Sequence, residues 1–153
     1  GERATLGGVV ANNATGAHSI LYGMAADHLE SAEVLLADGS SATFGPMRVA
    51  TPPFNSPHQS RLQTILTAVQ DIRARHAAAI HRDFPRTWRN SAGYRLNYLL
   101  PWTPSKPPAW KAGNYPPLRE GADFNLAHLL AGSEGTLAVV TKIMSRLLRQ
   151  PPG

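Results

Sequence analysis

The stretch "SAEVLLADGSSATF", residues 31–44, decides the kind of fold this chain can form. Ala32, Val34 and Leu36 recur at every second position, so an extended chain puts them on one face. Asp38-Gly39 follows, a dipeptide that accepts positive φ and is a strong two-residue hairpin signal. The segment reads as strand, tight turn, strand.

Towards the C-terminus, "GPMRVATPPFNSPHQS" (45–60) reads as a Pro-containing loop. From Arg61 to about Arg82 the period becomes helical. Leu62, Ile65, Leu66, Val69, Ile72, His76 and Ile80 fall three and four apart on one amphipathic stripe. Asp83 and Pro85 mark its stop. His76 lies on the stripe and is expected to be packed, since no second metal-type ligand sits one turn away. "RTWRNSAGYRLNYLL" (86–100) is expected to be a loop and then a short helix. Six of the thirteen prolines then lie between Pro101 and Pro117, with Trp102, Trp110 and Tyr115 among them. This marks an irregular surface excursion over about 101–122. "DFNLAHLLAG" (123–132) returns to helix, with Asn125 or Asp123 as cap and Gly132 just past the end. "TLAVVTKIMSRLL" (136–148) reads as a buried strand that becomes alternating and exposed.

Towards the N-terminus, "LGGVVANNATGAHS" (6–19) can form at most a short helix, entered at Gly7-Gly8 and left near Gly16. Two glycines at a helix start permit close approach of another backbone or a phosphate, and free N–H groups there favour an anion.

At 153 residues the chain is long enough for one domain with a real core, and 42% hydrophobic with 16% charged residues is a globular balance. It has no run of eighteen apolar residues, so no transmembrane helix is expected, and "GERATLGGVV" is not a signal peptide. The absence of a start methionine and the abrupt "RQPPG" end suggest a piece of a longer chain. Without cysteine, this stretch holds no disulfide, thiolate catalyst, thiolate zinc site or iron–sulfur ligand. The net charge is +5, and seven arginines lie between Arg61 and Arg95 against Asp71 and Asp83. A solvated helix face explains most of them, with an anion-binding role open for one or two. Nucleic-acid binding is disfavoured, because aromatics are not interleaved as a base-stacking platform requires.

His128 and Ser133 raise the question of a hydrolase. "GSEG" (132–135) lies at a helix-to-strand junction, whereas a nucleophile elbow needs strand-to-helix and Gly-x-Ser-x-Gly, one residue longer. That reading is set aside. His18 and His28 are ten apart and His76 and His81 five apart, neither the spacing of a helical zinc site. What remains is a pair of glycine-rich junctions, at 7–16 and 132–136. Each exposes backbone N–H groups, and each is open to reading as a turn or as a ligand loop.

"ATLGGVVANNATGAHSILYGMAADHLESAEVLLADG" resembles part of the FAD-binding domain of FAD-linked oxidases, the family of glycolate oxidase flavoprotein subunits, D-lactate dehydrogenases and D-2-hydroxyglutarate dehydrogenases. "NSAGYRLNYLL" is similar to the family's Gly-Tyr-Asp/Asn-Leu segment, and "LLAGSEGTLAVVTKI" to its Gly-Ser-Glu-Gly-Thr-Leu-Gly-Ile/Val segment, in the family's order. The resemblance implies an α+β fold: the second lobe of a PCMH-type FAD-binding domain, a mainly antiparallel sheet with flanking helices. It implies FAD as cofactor. Thr5, Leu6, Gly7 and Gly8 match the loop that approaches the pyrophosphate and flavin. Ala11, Asn12, Asn13 and Ala14 follow along the cofactor, Gly16 keeps space near the ring, and Tyr22-Gly23 closes the loop. Glu134, Gly135, Thr136, Leu137, Val139 and Val140 match a segment packed along FAD, with backbone groups of Gly135, Thr136 and Val139 making the approach.

Arg95 departs from the family's Asp or Asn, and Ala138 from its Gly. The excursion at about 101–122 looks like that of the subgroup fused to an iron–sulfur domain. The first lobe and the substrate domain, which carries the catalytic groups, are expected outside this stretch, so no residue here is assigned a catalytic role. The implied parent oxidises a 2-hydroxy acid and passes electrons to an iron–sulfur domain, a quinone or a cytochrome. It is expected in the cytoplasm or at the periphery of the inner membrane, with no nucleic-acid partner. The alternative is a non-catalytic module that binds an anion or a protein through Arg89 and the Trp-rich excursion.

Overall fold

A computed structural model of the chain describes residues 3–49, 60–102 and 118–147. The hairpin is its centre. Strand β1 (Leu29–Leu35) pairs antiparallel with β2 (Ser41–Phe44) on one side and with β5 (Val139–Ser145) on the other, giving the order β2-β1-β5. Ala32, Val34 and Leu36 are buried, as their alternation predicts. Leu29 is also buried, out of phase with them, because the register with β5 shifts between Leu29 and Ser31 and resets the alternation. The turn is one residue longer than expected. Leu36 N donates to Ser40 O at 2.9 Å and Gly39 N to Leu36 O at 3.0 Å, leaving Ala37, Asp38 and Gly39 as a three-residue loop with Gly39 at φ 80°. This is the alternative that a glycine at the end of a type I turn permits.

The long helix α4 runs Arg61–Asp83, as its stripe predicts. Ser60 Oγ accepts from Gln63 N at 3.3 Å while Gln63 Oε1 accepts from Ser60 N at 2.9 Å, a reciprocal cap at its start. Leu62, Ile65, Leu66, Val69 and Ile72 pack on the core that contains Leu29, Val34, Phe44, Phe124 and Leu130. His76 is exposed, contrary to expectation. Periodicity fixes the direction of a side chain, but burial also needs a neighbour opposite it. Arg73, one turn earlier, sets its guanidinium 4.7 Å from the Phe124 ring centroid and bonds Leu99 O, and Ile80, one turn later, is buried again.

Other elements are shorter than the sequence suggests. Helix α1 (Leu6–Ala11) ends at Asn12, not near Gly16, and two single-turn helices follow, α2 (Ser19–Tyr22) and α3 (Ala25–His28). Pro46–Met47, read as loop, forms a two-residue strand β3 paired with β4 (Phe124–Asn125). The expected helix at 123–132 is therefore split into β4 and a 3₁₀ turn at Leu126–Leu130. Asn125 caps it by accepting from Ala127 N at 2.9 Å, and its Nδ2 donates to Leu29 O and Glu30 O. The short helix expected after the 86–95 loop is a 3₁₀ turn, Leu96–Leu99. β5 is an edge strand rather than a buried one. Val140 and Ile143 are half-buried, while Val139 is 63% exposed. Trp102 is buried with Ala26, Tyr98 and Ala131, so the surface excursion begins after it. The rest of that excursion, 103–117 with Trp110 and Tyr115, lies outside the described residues, as do 50–59 of the preceding Pro-containing loop and 148–153. No described helix is long and apolar enough to cross a membrane.

Two core features yield tests. Gly132 sits at φ 83°, and a Cβ on it would lie 2.5 Å from Gly93 O. Gly39 has φ 80° but open space around it. Alanine should cost about 1–2 kcal/mol at Gly39 from conformation alone. At Gly132 the added collision should raise the loss above about 3 kcal/mol, read from urea midpoints. His128 is buried, and burial together with the nearby Arg95 charge pushes its imidazole down to about 3 from 6.5. The unfolded chain thus takes up a proton below pH 6.5 that the folded chain refuses until about pH 3. Its contribution to stability is complete above pH 6.5 and lost as pH falls, at up to about 1.4 kcal/mol per unit. His128→Leu should flatten that part of the stability profile; an unchanged slope in the variant contradicts the assignment.

Candidate cofactor-facing site

Helix α1 starts with Thr5, whose Oγ1 accepts from Gly8 N at 3.1 Å. Its hydroxyl is thus occupied in capping, and the N–H groups of Leu6 and Gly7 have no acceptor within the helix. The helix ends in Asn12-Asn13. Asn13 takes φ 45° and is fully buried. Its Oδ1 accepts from Ala26 N at 2.9 Å, and its Nδ2 donates to Asn90 O at 3.0 Å. The side chain therefore faces inward and ties three loops together. Asn12 and Ala14 remain exposed beside it.

The carbonyl of Asn90 accepts a second donor, Arg95 Nη1, at 2.7 Å. Arg95 is 1% exposed and lies 4.1 Å over the Tyr98 ring centroid. Tyr98 donates its hydroxyl proton to Asp27 Oδ1 at 2.6 Å, and Asp27 Oδ2 accepts from Met24 N at 2.8 Å. The departure from the family pattern at Arg95 thus places a cation in the core, held by a carbonyl and an aromatic face.

The 132–136 loop docks on this assembly. Glu134 N donates to Ala11 O at 3.0 Å. Gly132 lies against the Gly93 carbonyl. Tyr94 Oη meets Thr136 Oγ1 at 2.8 Å, and Thr136 Oγ1 donates to Ser133 O at 2.6 Å. Glu134 and Gly135 both take left-handed backbone, at φ 51° and 78°. For the non-glycine Glu134 this is a strained conformation, kept by the bond from its N–H and by the flanking turn. So the three sequence motifs, about 40 to 120 residues apart along the chain, meet at one place. Ser133 and His128, the pair raised as hydrolase candidates, are both buried, and neither faces an open surface.

The nominated residues divide between two surfaces. Leu6, Ala14, Tyr22 and Gly23 line a largely apolar cleft of about 1000 Å³ that also involves Val9, His18, Ile143 and Leu147. Glu134, Gly135, Thr136, Leu137 and Val139 are exposed outside that cleft, next to the end of α1, and Val140 is half-buried under them. Thr5, Gly7, Gly8, Ala11 and Gly16 lie on or beside α1, outside the cleft lining. Sequence reasoning overlooked Asn90 and the anchoring role of Arg95. Their only local signal was an Asn and an Arg flanking the Ser-Ala-Gly-Tyr turn.

The arrangement fits a phosphorylated, flat cofactor. A Cβ at Gly7, Gly16, Gly93 or Gly135 would meet no heavy atom within 4 Å, so these backbones open onto free space. The donors offered are neutral backbone N–H groups, and the nearby cleft is apolar, the combination that suits a pyrophosphate and a ring system. Among the described residues no three His, Asp or Glu groups cluster as a metal site.

Comparison with known proteins agrees with this. A family model described as an FAD binding domain matches residues 1–45. The chain is 27% identical over 150 residues to the D-2-hydroxyglutarate dehydrogenase of Escherichia coli (strain K12), covering 98% of this chain and 13% of that protein. It is 28% identical over 148 residues to the Pantoea ananatis enzyme of the same name, covering 92% and 12% respectively. The D-lactate dehydrogenase of Archaeoglobus fulgidus is 27% identical over 149 residues, covering 97% and 18%. The chain therefore spans less than a fifth of the length of these relatives. By its motifs and these matches the chain is similar to the FAD-linked oxidases, and its residues 1–45 match an FAD binding domain.

Proposed function

We propose that this chain forms one wall of the FAD site of a flavoprotein dehydrogenase that oxidises a 2-hydroxy acid of the D-2-hydroxyglutarate or D-lactate type. The observation that carries the reading is the meeting of the 5–14, 93–94 and 132–136 loops through Glu134 N to Ala11 O, Gly132 on Gly93 and Tyr94 on Thr136. The relatives named for those substrates, matched over nearly the whole chain, supply the substrate class.

In this reading the chain is the second lobe of a PCMH-type domain. Gly7, Gly8 and Gly135 approach the cofactor with backbone alone. Leu6, Ala14, Tyr22 and Gly23 provide an apolar wall that excludes water, and Val139 adds an exposed apolar contact. Bound FAD supplies the ring nitrogen that accepts hydride from the substrate carbon. The chain's own residues hold and orient. They contribute no acid or base, because the acidic group nearest the loop, Glu134, acts through its backbone. Electrons pass on to an iron–sulfur domain, a quinone or a cytochrome, in the cytoplasm or at the inner-membrane surface, a part of the reading that rests on the family resemblance alone.

Two glycines separate this reading from a plain turn. Gly7 is helical and open, so Gly7→Ala should stabilise the fold by up to about 1 kcal/mol while setting a methyl group against the cofactor. Gly135→Val sets a larger side chain against the cofactor from the second loop, and at φ 78° it also strains that loop and costs stability. Both should lower flavin occupancy of the purified protein at least about tenfold, one pKa-unit equivalent of binding energy. Glu134→Gln should keep most of the flavin. Full flavin content in both glycine variants would return these loops to a structural role.

A further inference from the structure

The hydroxyl pair at the junction of the loops has a fixed direction. Thr136 Oγ1 lies 2.6 Å from Ser133 O, and a carbonyl oxygen only accepts, so the single threonine proton is committed there. Turned the other way, two lone-pair-bearing oxygens would face each other at that distance. Thr136 Oγ1 must therefore accept from Tyr94 Oη, 2.8 Å away. Tyr94 has then given away its only proton, and what its oxygen offers outward is lone pairs alone. Tyr94 as a whole residue is 43% exposed. Its tip is held by Thr136, and Gly93 and Gly135, next to Tyr94 and Thr136 in the chain, have no heavy atom within 4 Å of a Cβ position.

We propose that Tyr94 is a specificity-determining residue that accepts a hydrogen bond from a ligand O–H or N–H group, and that the Thr136–Ser133 relay sets this polarity. This rests on the FAD reading above. The donor belongs either to the cofactor, as a chain hydroxyl or a ring N–H, or to the 2-hydroxy acid, as its α-hydroxyl. A site built to accept discriminates against ligands that lack the donor, because its oxygen is otherwise left facing an unpartnered group.

The test uses the complete gene product with Tyr94→Phe, Thr136→Val and Thr136→Ser. FAD affinity is measured by fluorescence titration of the apoprotein, and KM and kcat with D-2-hydroxyglutarate and D-lactate as probes. Tyr94→Phe should leave the melting temperature unchanged and weaken one step about three- to tenfold. Weaker FAD binding identifies a cofactor donor; raised KM with unaltered FAD affinity and kcat identifies the substrate hydroxyl. Thr136→Val should reproduce the same loss, since it frees the tyrosine proton, and Thr136→Ser should restore wild-type values. A flavin-loaded wild type with Tyr94→Phe unchanged in both steps overturns this inference alone. So does Thr136→Ser behaving like Thr136→Val, which would mark a loop-shape effect. A wild type that binds no FAD overturns the FAD reading as well.

Discussion

A closed circuit of buried polar contacts around Asn13 holds the site. Asn13 bonds Ala26 N and Asn90 O; Asn90 O is shared with Arg95; Arg95 lies on Tyr98; and Tyr98 bonds Asp27, which is adjacent to Ala26. Each member is almost fully buried except Asn90, which is half-buried. In such a place a polar group without a partner costs more than the bond itself contributes, so the members depend on each other. Removing one leaves a buried polar atom of its neighbour without that bond. The circuit fixes where α1 ends, where the 90–94 turn sits, and hence where the 132–136 loop can dock.

The apolar packing serves a different part of the molecule. The sheet buries one face, through Ala32, Val34, Val140 and Ile143, against α4 and the 3₁₀ turns. Its other face is open to solvent and carries the Glu33–Lys142 pair at 2.9 Å. That exposed pair adds little stability, in the range of surface ion pairs generally. What matters is its register, which places Val139 opposite Leu35 and so sets the end of β5 beside the loop it leaves. The core thus positions the strand, and the polar circuit positions the loops at its end.

The parts of this fold governed by local periodicity were legible in the sequence. The hairpin, the face of Ala32 and Val34, and helix α4 with its stop at Asp83 all follow from spacing and turn chemistry. Asn125 as a cap was legible for the same reason. What depends on distant partners was not. Asn12 and Asn13 look alike in sequence, yet one is exposed and the other fully buried, because Asn13 finds Asn90, 77 residues further on. His76 sits at the right angle on its helix but is exposed, with none of the described residues covering it. Arg95 looks like a surface cation, and only the ring of Tyr98 three residues later shows how it is accommodated. The strand at 139–145 has a core-like composition, but it has one strand partner here and stands at the edge. The motifs flagged by resemblance did come together, though the cleft takes in only the α1–α3 half of them.

The central claim is that the three loops form one FAD-binding surface, joined by the Asn13 circuit. Amide hydrogen exchange on the complete gene product, with and without FAD, addresses it most directly. FAD should slow exchange together at Gly7 and Gly8, at Gly93 and Tyr94, and at Gly135 and Thr136, with α4 unchanged. Protection confined to one loop, or absent from all three in a protein that binds FAD, would contradict it.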